Sequence, residues 1–274
     1  MAKPAINDRH HLMIQCYKTA HITHMLSFFK KKQLTNHREL PAYWHAYEAQ
    51  FKDSPPANEN GPFVVLDTET TGFDYEKDRI LCIGALRLVG HSIQIKDGFE
   101  VFVQQDHYSK ETAAIHGILK GEGIKSLKVL ENKTAAIVSE KTSEISVRLK
   151  SSDKMTELEA LKSFLVYLGS SVIIAHHAFF DINMINKAME RHGLPSLKNK
   201  SLDTVNLYKK SLLRSPLIER KAHYSLDELA DKFNISKKDR HTALGDAYIT
   251  ALLFLKIIKK IKEKTGRLEF KRLF

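Results

Sequence analysis

Strand signals come first and helical signals later along residues 61–262, an order that predicts an α/β fold, a mixed β-sheet flanked by helices. Two observations carry this. The apolar, β-branched run from Phe63 to Leu66 and the longer one from Arg79 to Leu88 have the length and composition of buried strands. Downstream, Thr156 with Glu159 and Ser225 with Glu228 form the reciprocal capping pattern that opens a helix, each ahead of leucines at helical spacing.

Residues 1–60 have a different character. Leu12, Met13, Leu26, Phe28, Phe29 and Leu34, then Tyr43, Trp44, Tyr47 and Phe51, predict two or three short amphipathic helices broken near Pro41, a helical N-terminal extension. Its aromatic residues either pack on the domain that follows or offer a docking surface, and rings at helical spacing are more often core. Adjacent prolines and a Gly-Pro pair in Asp53–Pro62 mark a linker. After the two strands, Gly90-His-Ser92 turns the chain into a third that ends near Val103, and Val172 to Ala175 reads as another short buried strand.

Between Gly117 and Thr156 the pattern weakens, and residues 119–155 read as a surface insertion rich in Lys, Ser, Glu and Thr. Ile145, Val147 and Leu149 alternate there like an edge strand. The helix opened by Thr156 should stop at Gly169. The last long helix should start at about Thr242 and bury Leu252, Leu255, Ile258 and Ile261 before residues 263–274 become a basic tail. The eight basic residues of the run from Lys256 to Arg272 suit a phosphate contact as well as a solvated helix face.

Composition narrows the function classes. Lys and Arg number 43 against 32 Asp and Glu in 274 residues, a net charge of +11 that favours polyanionic partners. Cys16 and Cys82 are the two cysteines, too few for a disulfide framework and in keeping with a reducing compartment. With no apolar run long enough to cross a membrane and no signal core, a cytoplasmic protein with no membrane partner is expected.

Chemistry concentrates in three blocks: Asp67 and Glu69 in Phe63-Val-Val-Leu-Asp-Thr-Glu-Thr-Thr-Gly72, Asp181 at the end of Ala175-His-His-Ala-Phe-Phe-Asp181, and His241 with Asp246 in His241-Thr-Ala-Leu-Gly-Asp246. Asp67 and Glu69, two apart at the end of a strand, point to the same side and can share a metal. Carboxylates gathered around a histidine are what phosphodiester cleavage with two ions about 3.5–4 Å apart requires. Hard oxygen ligands select Mg²⁺ or Mn²⁺, and no zinc-like spacing of Cys and His occurs. Taken singly, each block has a plainer reading: acids at a strand end meeting solvent, Asp181 as N-cap of a helix from Ile182 to His192, His241 and Asp246 as a loop and a helix face. Their order and spacing together point to an enzyme acting on nucleic acid.

Those motifs resemble the DEDDh 3′-to-5′ exonucleases of the ribonuclease H-like superfamily, the family of the proofreading subunits of bacterial replicative polymerases. The first motif is matched from Asp67 to Gly72, the second by His176, His177 and Asp181, and the third by His241, Ala243 and Asp246. Ile115-His-Gly-Ile118, Leu202-Asp-Thr204 and Leu226-Asp-Glu-Leu229 also fall in order. The resemblance implies that Asp67, Glu69 and Asp246 bind the catalytic ion, that Asp67 and Asp181 serve a second, and that His241 is the general base. It further implies that Thr70, Thr71 and Gly72 meet the 3′-terminal nucleotide and that Glu111 and His116 hold its sugar. The substrate it implies is the 3′ end of single-stranded DNA, with RNA as the alternative and nucleoside 5′-monophosphates as the product.

One departure stands in the second motif, where the family usually has Asn and this chain has His177. A ring nitrogen of His177 can support the backbone in place of that Asn; a metal role for the His176-His177 pair lacks further nitrogen ligands. A second reading of the whole chain keeps the fold as an adaptor that holds a DNA polymerase or repair partner through the N-terminal extension. An RNA-trimming exoribonuclease shares all the chemistry, differing in tolerance of a 2′-hydroxyl.

Overall fold

The computed structural model describes residues 39–52, 54, 58–106, 112, 118, 154–212 and 224–274. Among the described residues five strands form one mixed sheet: β1 (Phe63–Thr70), β2 (Ile80–Val89), β3 (Ser92–Phe102), β4 (Val172–Ala175) and β5 (Ser201–Asp203). Their order across the sheet is β3-β2-β1-β4-β5. The meander β1-β2-β3 is antiparallel, while β4 and β5 add parallel to β1. The helices among the described residues are α1 (Ala42–Ala49), α2 (Glu157–Leu168), α3 (Ala178–Arg191), α4 (Thr204–Ser211), α5 (Leu226–Lys232) and α6 (Ala243–Thr265), followed by a 3₁₀ turn at Phe270–Arg272.

Alternation along β1 divides the core in two. Val64 and Leu66 face α1, α2 and α3, in a cluster with Trp44, Phe164 and Met184. Phe63 and Val65 face the other way, with Tyr208, Leu229, Phe254 and Ile257 from α4, α5 and α6. Both faces being covered, β1 has no alternating polar pattern in its first half, as expected of a central strand.

The expected element starts hold where capping fixes them. Thr156 and Ser225 each close a capping box, with Glu159 and Glu228 respectively, and Thr242 caps α6 by accepting the Gly245 N–H. One start differs. The helix after β4 begins at Ala178 with His177 as its N-cap, so Asp181 is not a cap but lies in the first turn. The expected basic tail also differs: beyond Gly266, Phe270 and Leu273 are buried, and Phe270 packs on Phe63 at 5.5 Å. Apolar side chains spaced three apart hold this segment on the core, while its Lys and Arg stay outside.

The aromatic residues expected either to pack or to dock are core within α1. Trp44 is 0% and Tyr47 2% exposed. The Tyr47 hydroxyl donates to Asn199 Oδ1 at 2.6 Å and accepts from the Lys198 N–H at 2.9 Å. Residues 1–38, most of the 119–155 insertion and its alternating Ile145, Val147 and Leu149 lie outside the described residues. Where description resumes, Met155 already bridges to Val103 at the sheet edge.

Candidate active site

The site forms where β1 outruns its neighbour. β4 pairs with Phe63 to Val65 and stops, whereas β1 continues to Thr70 along β2. Beyond Val65 the β4 side of the strand needs other partners, because a buried backbone N–H left unpaired is costly. Asp181 supplies one: its Oδ1 accepts the Thr68 N–H at 2.9 Å and the Thr68 hydroxyl at 2.7 Å. The first turn of α3 is thereby fastened to the strand end.

From the other face comes α6. Gly84 stands opposite Asp67 in the register, and a Cβ there would collide with the backbone of Ala243 and Leu244. The absent side chain lets the N-terminus of α6 rest on the sheet and delivers Asp246, in its first turn, to Asp67. Carboxylate oxygens of Asp67, Glu69 and Asp246 lie within 4.8 Å of one another. The helix N-terminus favours a negative charge at Asp246, and the His241 N–H donates to its Oδ1 at 3.3 Å. His241 has a positive φ of 69°, in the turn just ahead of the Thr242 cap.

Burial, with like charge added at Asp67, raises the acids. Burial, then the charges of Asp246, Asp181 and Glu69, push the Asp67 carboxyl well above the usual range, against an opposing pull from Arg240. Burial raises Asp246 too, with Arg240 and His241 working the other way. Burial lifts Asp181 to about 7 despite the hydrogen bonds from Thr68. Clustered, desolvated oxygen donors with too few protein cations to offset them fit a hard divalent ion, which would supply both the ligands' missing partner and the missing charge.

The acids open on a cavity of about 380 Å³ that Asp67, Glu69, Asp181, Asp246 and His241 all line. Thr70 lines it as well; Thr71 and Gly72 are not among its described lining residues. Their loop has its own economy of bonds. Thr70 donates to the Gly72 carbonyl at 2.7 Å and Thr71 to Asp78 Oδ1 at 2.8 Å, while a Cβ at Gly72 would collide with the Asp78 carboxylate. Gly72 thus makes room for Asp78, a need within the chain distinct from the expected approach of a nucleotide. Glu111 and His116 lie outside the described residues. A larger cavity, about 650 Å³, lies between α4 and the C-terminal segment among Lys209, Lys264 and Arg267, and contains none of the expected site residues.

His177 takes the left-handed conformation, φ 59°, at the start of α3. Asn and His are both among the residues enriched in that conformation. Its Nε2 lies 3.2 Å from the Tyr224 carbonyl oxygen, which the His176 Nε2 also reaches at 2.9 Å. A carbonyl only accepts, so His176 carries its proton on Nε2 and its Nδ1 accepts from the Thr204 hydroxyl at 2.8 Å. Burial, then the neighbouring His177, holds His176 well below the usual imidazole range and therefore neutral. Both rings anchor the chain ahead of α5, and the Tyr224 anchor is the backbone support expected of His177.

Sequence reading missed Arg240 and met Asp227 only inside Leu226-Asp-Glu-Leu229, with no role given to it. The Arg240 Nε and Nη2 donate to the two oxygens of Asp227 at 2.8 and 2.9 Å, and Nη1 donates to Asp246 Oδ2. Adjacency of Arg240 to His241 was the one available signal, since nothing in spacing ties Asp227 to the third motif.

A cleft lined by clustered carboxylates and a histidine fits a metal-using hydrolase. The chain belongs to the exonuclease family: the family model for exonucleases matches residues 64–131 and 128–254. It is 31% identical over 207 residues to the DNA polymerase III subunit epsilon of Aquifex aeolicus, covering 76% of this chain and 85% of that one. It is 30% identical to the PolC-type DNA polymerase III of Caldanaerobacter subterraneus subsp. tengcongensis, covering 76% of this chain but only 12% of that much longer protein. Among solved structures, E. coli exonuclease I in complex with single-stranded DNA superposes with a TM-score of 0.54 at 17% identity, over 75% of this chain and 41% of that one. The same enzyme with a dT13 oligonucleotide gives 0.53 at 16% identity, over 74% and 42%. The fold is the ribonuclease H-like exonuclease fold, and the protein is an exonuclease. No helix among the described residues is long and apolar enough to cross a membrane.

Proposed function

We propose that this protein hydrolyses phosphodiester bonds stepwise from the 3′ end of single-stranded DNA and releases nucleoside 5′-monophosphates, using two divalent ions. The observation that carries the reading is the Asp67, Glu69 and Asp246 triad, its oxygens within 4.8 Å, in one cavity with His241 and Asp181. Asp67, Glu69 and Asp246 hold the first ion, and Asp67 with Asp181 the second. Mg²⁺ or Mn²⁺ at these oxygens would neutralise the scissile phosphate and make a water molecule more acidic. His241 receives the proton of the attacking water at a ring nitrogen; its backbone N–H, bonded to Asp246, fixes where the ring starts. Thr70, which lines the cavity, would meet the terminal nucleotide, with Thr71 and Gly72 in the loop beside it. By the family resemblance Glu111 and His116, which lie outside the described residues, would hold the terminal sugar.

The epsilon relative, named as a polymerase subunit, supports a replication partner, and a cytoplasmic setting accords with one. That partner would be held through the N-terminal extension, residues 1–60, in which Trp44 and Tyr47 are themselves core. The test is degradation of 3′-labelled and 5′-labelled DNA and RNA oligonucleotides with Mg²⁺ or Mn²⁺, native protein against Asp67→Ala. Stepwise 3′ loss, faster on DNA and absent in the variant, is the expected result. Faster loss of RNA would make the enzyme an exoribonuclease; equal activity in Asp67→Ala would remove the metal site from the reading.

A further inference from the structure

Arg240 is the cation built into the acidic site. Its side chain is 13% exposed, and its guanidinium fork is divided between two acids. Nε and Nη2 lie on Asp227, while Nη1 lies on Oδ2 of Asp246, whose Oδ1 faces the His241 N–H. A cation entering among Asp67, Glu69 and Asp246 meets this guanidinium both as a like charge and as a competitor for Asp246 Oδ2.

We infer that Arg240 is the resident counter-ion of the triad, exchanging with the divalent ion at Asp246, and that Asp227 is the post that lets it let go. The inference rests on the metal site of the proposed function. Asp227 takes two of the guanidinium donors in the bidentate arrangement, which is stronger and more directional than a single bond. It sits in the first turn of α5, whose start is locked by the Ser225–Glu228 capping box and, one residue earlier, by the two histidines on the Tyr224 carbonyl. Arg240 therefore keeps a partner when Asp246 turns to an ion. Without Asp227, its whole charge would fall on Asp246.

Two substitutions of opposite sign test this, read by calorimetric titration of the full chain with Mn²⁺ and by thermal unfolding of the metal-free protein. Arg240→Gln removes a positive charge beside the ion and should tighten Mn²⁺ binding about tenfold, while the metal-free variant melts at a lower temperature. Asp227→Asn leaves Arg240 gripping Asp246 alone and should weaken binding by roughly threefold or more. Arg240→Lys keeps the charge without the fork and should bind Mn²⁺ within about threefold of the native chain, which serves if the Gln variant does not fold. A brace for the fold predicts weaker binding in both Arg240→Gln and Asp227→Asn; that result overturns the inference, as does unchanged affinity in the pair or tenfold tighter binding in Arg240→Lys. A native chain that binds no Mn²⁺ overturns the metal site itself, and the exchange with it.

Discussion

The two halves of β1 share a strand and differ in almost everything else. Phe63 to Val65 has a strand on each side, Leu66 follows on β2, helices cover both faces, and all four side chains are at most 1% exposed. Asp67 to Thr70 keeps β2 but has lost β4, and its vacated side is filled by an acid from α3 while α6 brings another across Gly84. A strand that outruns its neighbour in the centre of a sheet leaves a rigid shelf with free hydrogen-bonding edges, where polar groups can be held close without being buried in the core. The first half supplies stability and the second spends some of it on crowded charge.

Substitution on either side of the Leu66/Asp67 junction should break the two apart. Asp67→Ala is expected to lower the exonuclease rate by about a thousandfold or more, on the order of 4 kcal/mol, while the metal-free protein melts no lower than native, since a crowded buried charge is gone. Leu66→Ala should do the reverse: a loss of about 2–5 kcal/mol in urea unfolding, with the rate per folded molecule little changed. Loss of stability in the first, or of turnover in the second, would dissolve the division.

Gly84→Ala attacks the joint between the halves. The added Cβ must push α6 from β2 and carry Asp246 away from Asp67, so stability, by about 1–3 kcal/mol, and activity should fall together. Thr68→Val removes the hydroxyl that donates to Asp181 while keeping the N–H that also does, for a cost of about 1–2 kcal/mol in thermal unfolding and a smaller loss of rate than Asp67→Ala gives.

The smallest expected effect sharpens the contrast within one row of the sheet, where Asp67, Gly84 and Glu100 are neighbours. Burial lifts Glu100 to about 7, and an N–H from Leu244 only partly offsets this. Glu100 binds its proton more tightly folded than unfolded, so it favours folding below the ordinary carboxylate range and costs stability as pH rises from about 4.5 towards 7. Glu100→Gln should raise stability at pH 8 by roughly 1 kcal/mol relative to native and leave it unchanged at pH 4. Equal effects at both pH values would mean that Glu100 is not the titrating group.

The local signals that sequence could carry were local in physics as well. A capping box closes over four residues, so Thr156 and Ser225 announced their helices; an apolar run such as Phe63 to Leu66 needs no partner to declare itself buried. The Asp67, Glu69, Asp181, His241 and Asp246 set was legible because each member sits in a short motif. Asp181 was harder: as an acid ahead of apolar residues it resembled a cap, but the cap is His177, whose left-handed backbone no side-chain pattern announced.

Sequence alone determined the strand-then-helix order, the capped helix starts and the acids and histidine of the candidate site, because propensity, capping and motif spacing act over a few residues. Tertiary structure alone decided that β1 would outrun β4, that Gly84 would seat α6, that Asp181 would fasten Thr68 and that Arg240 would divide its charge between Asp227 and Asp246. Each of these depends on side chains far apart in the chain meeting at one place, and the free energy of such a meeting belongs to the pair and its burial, which neither segment encodes by itself.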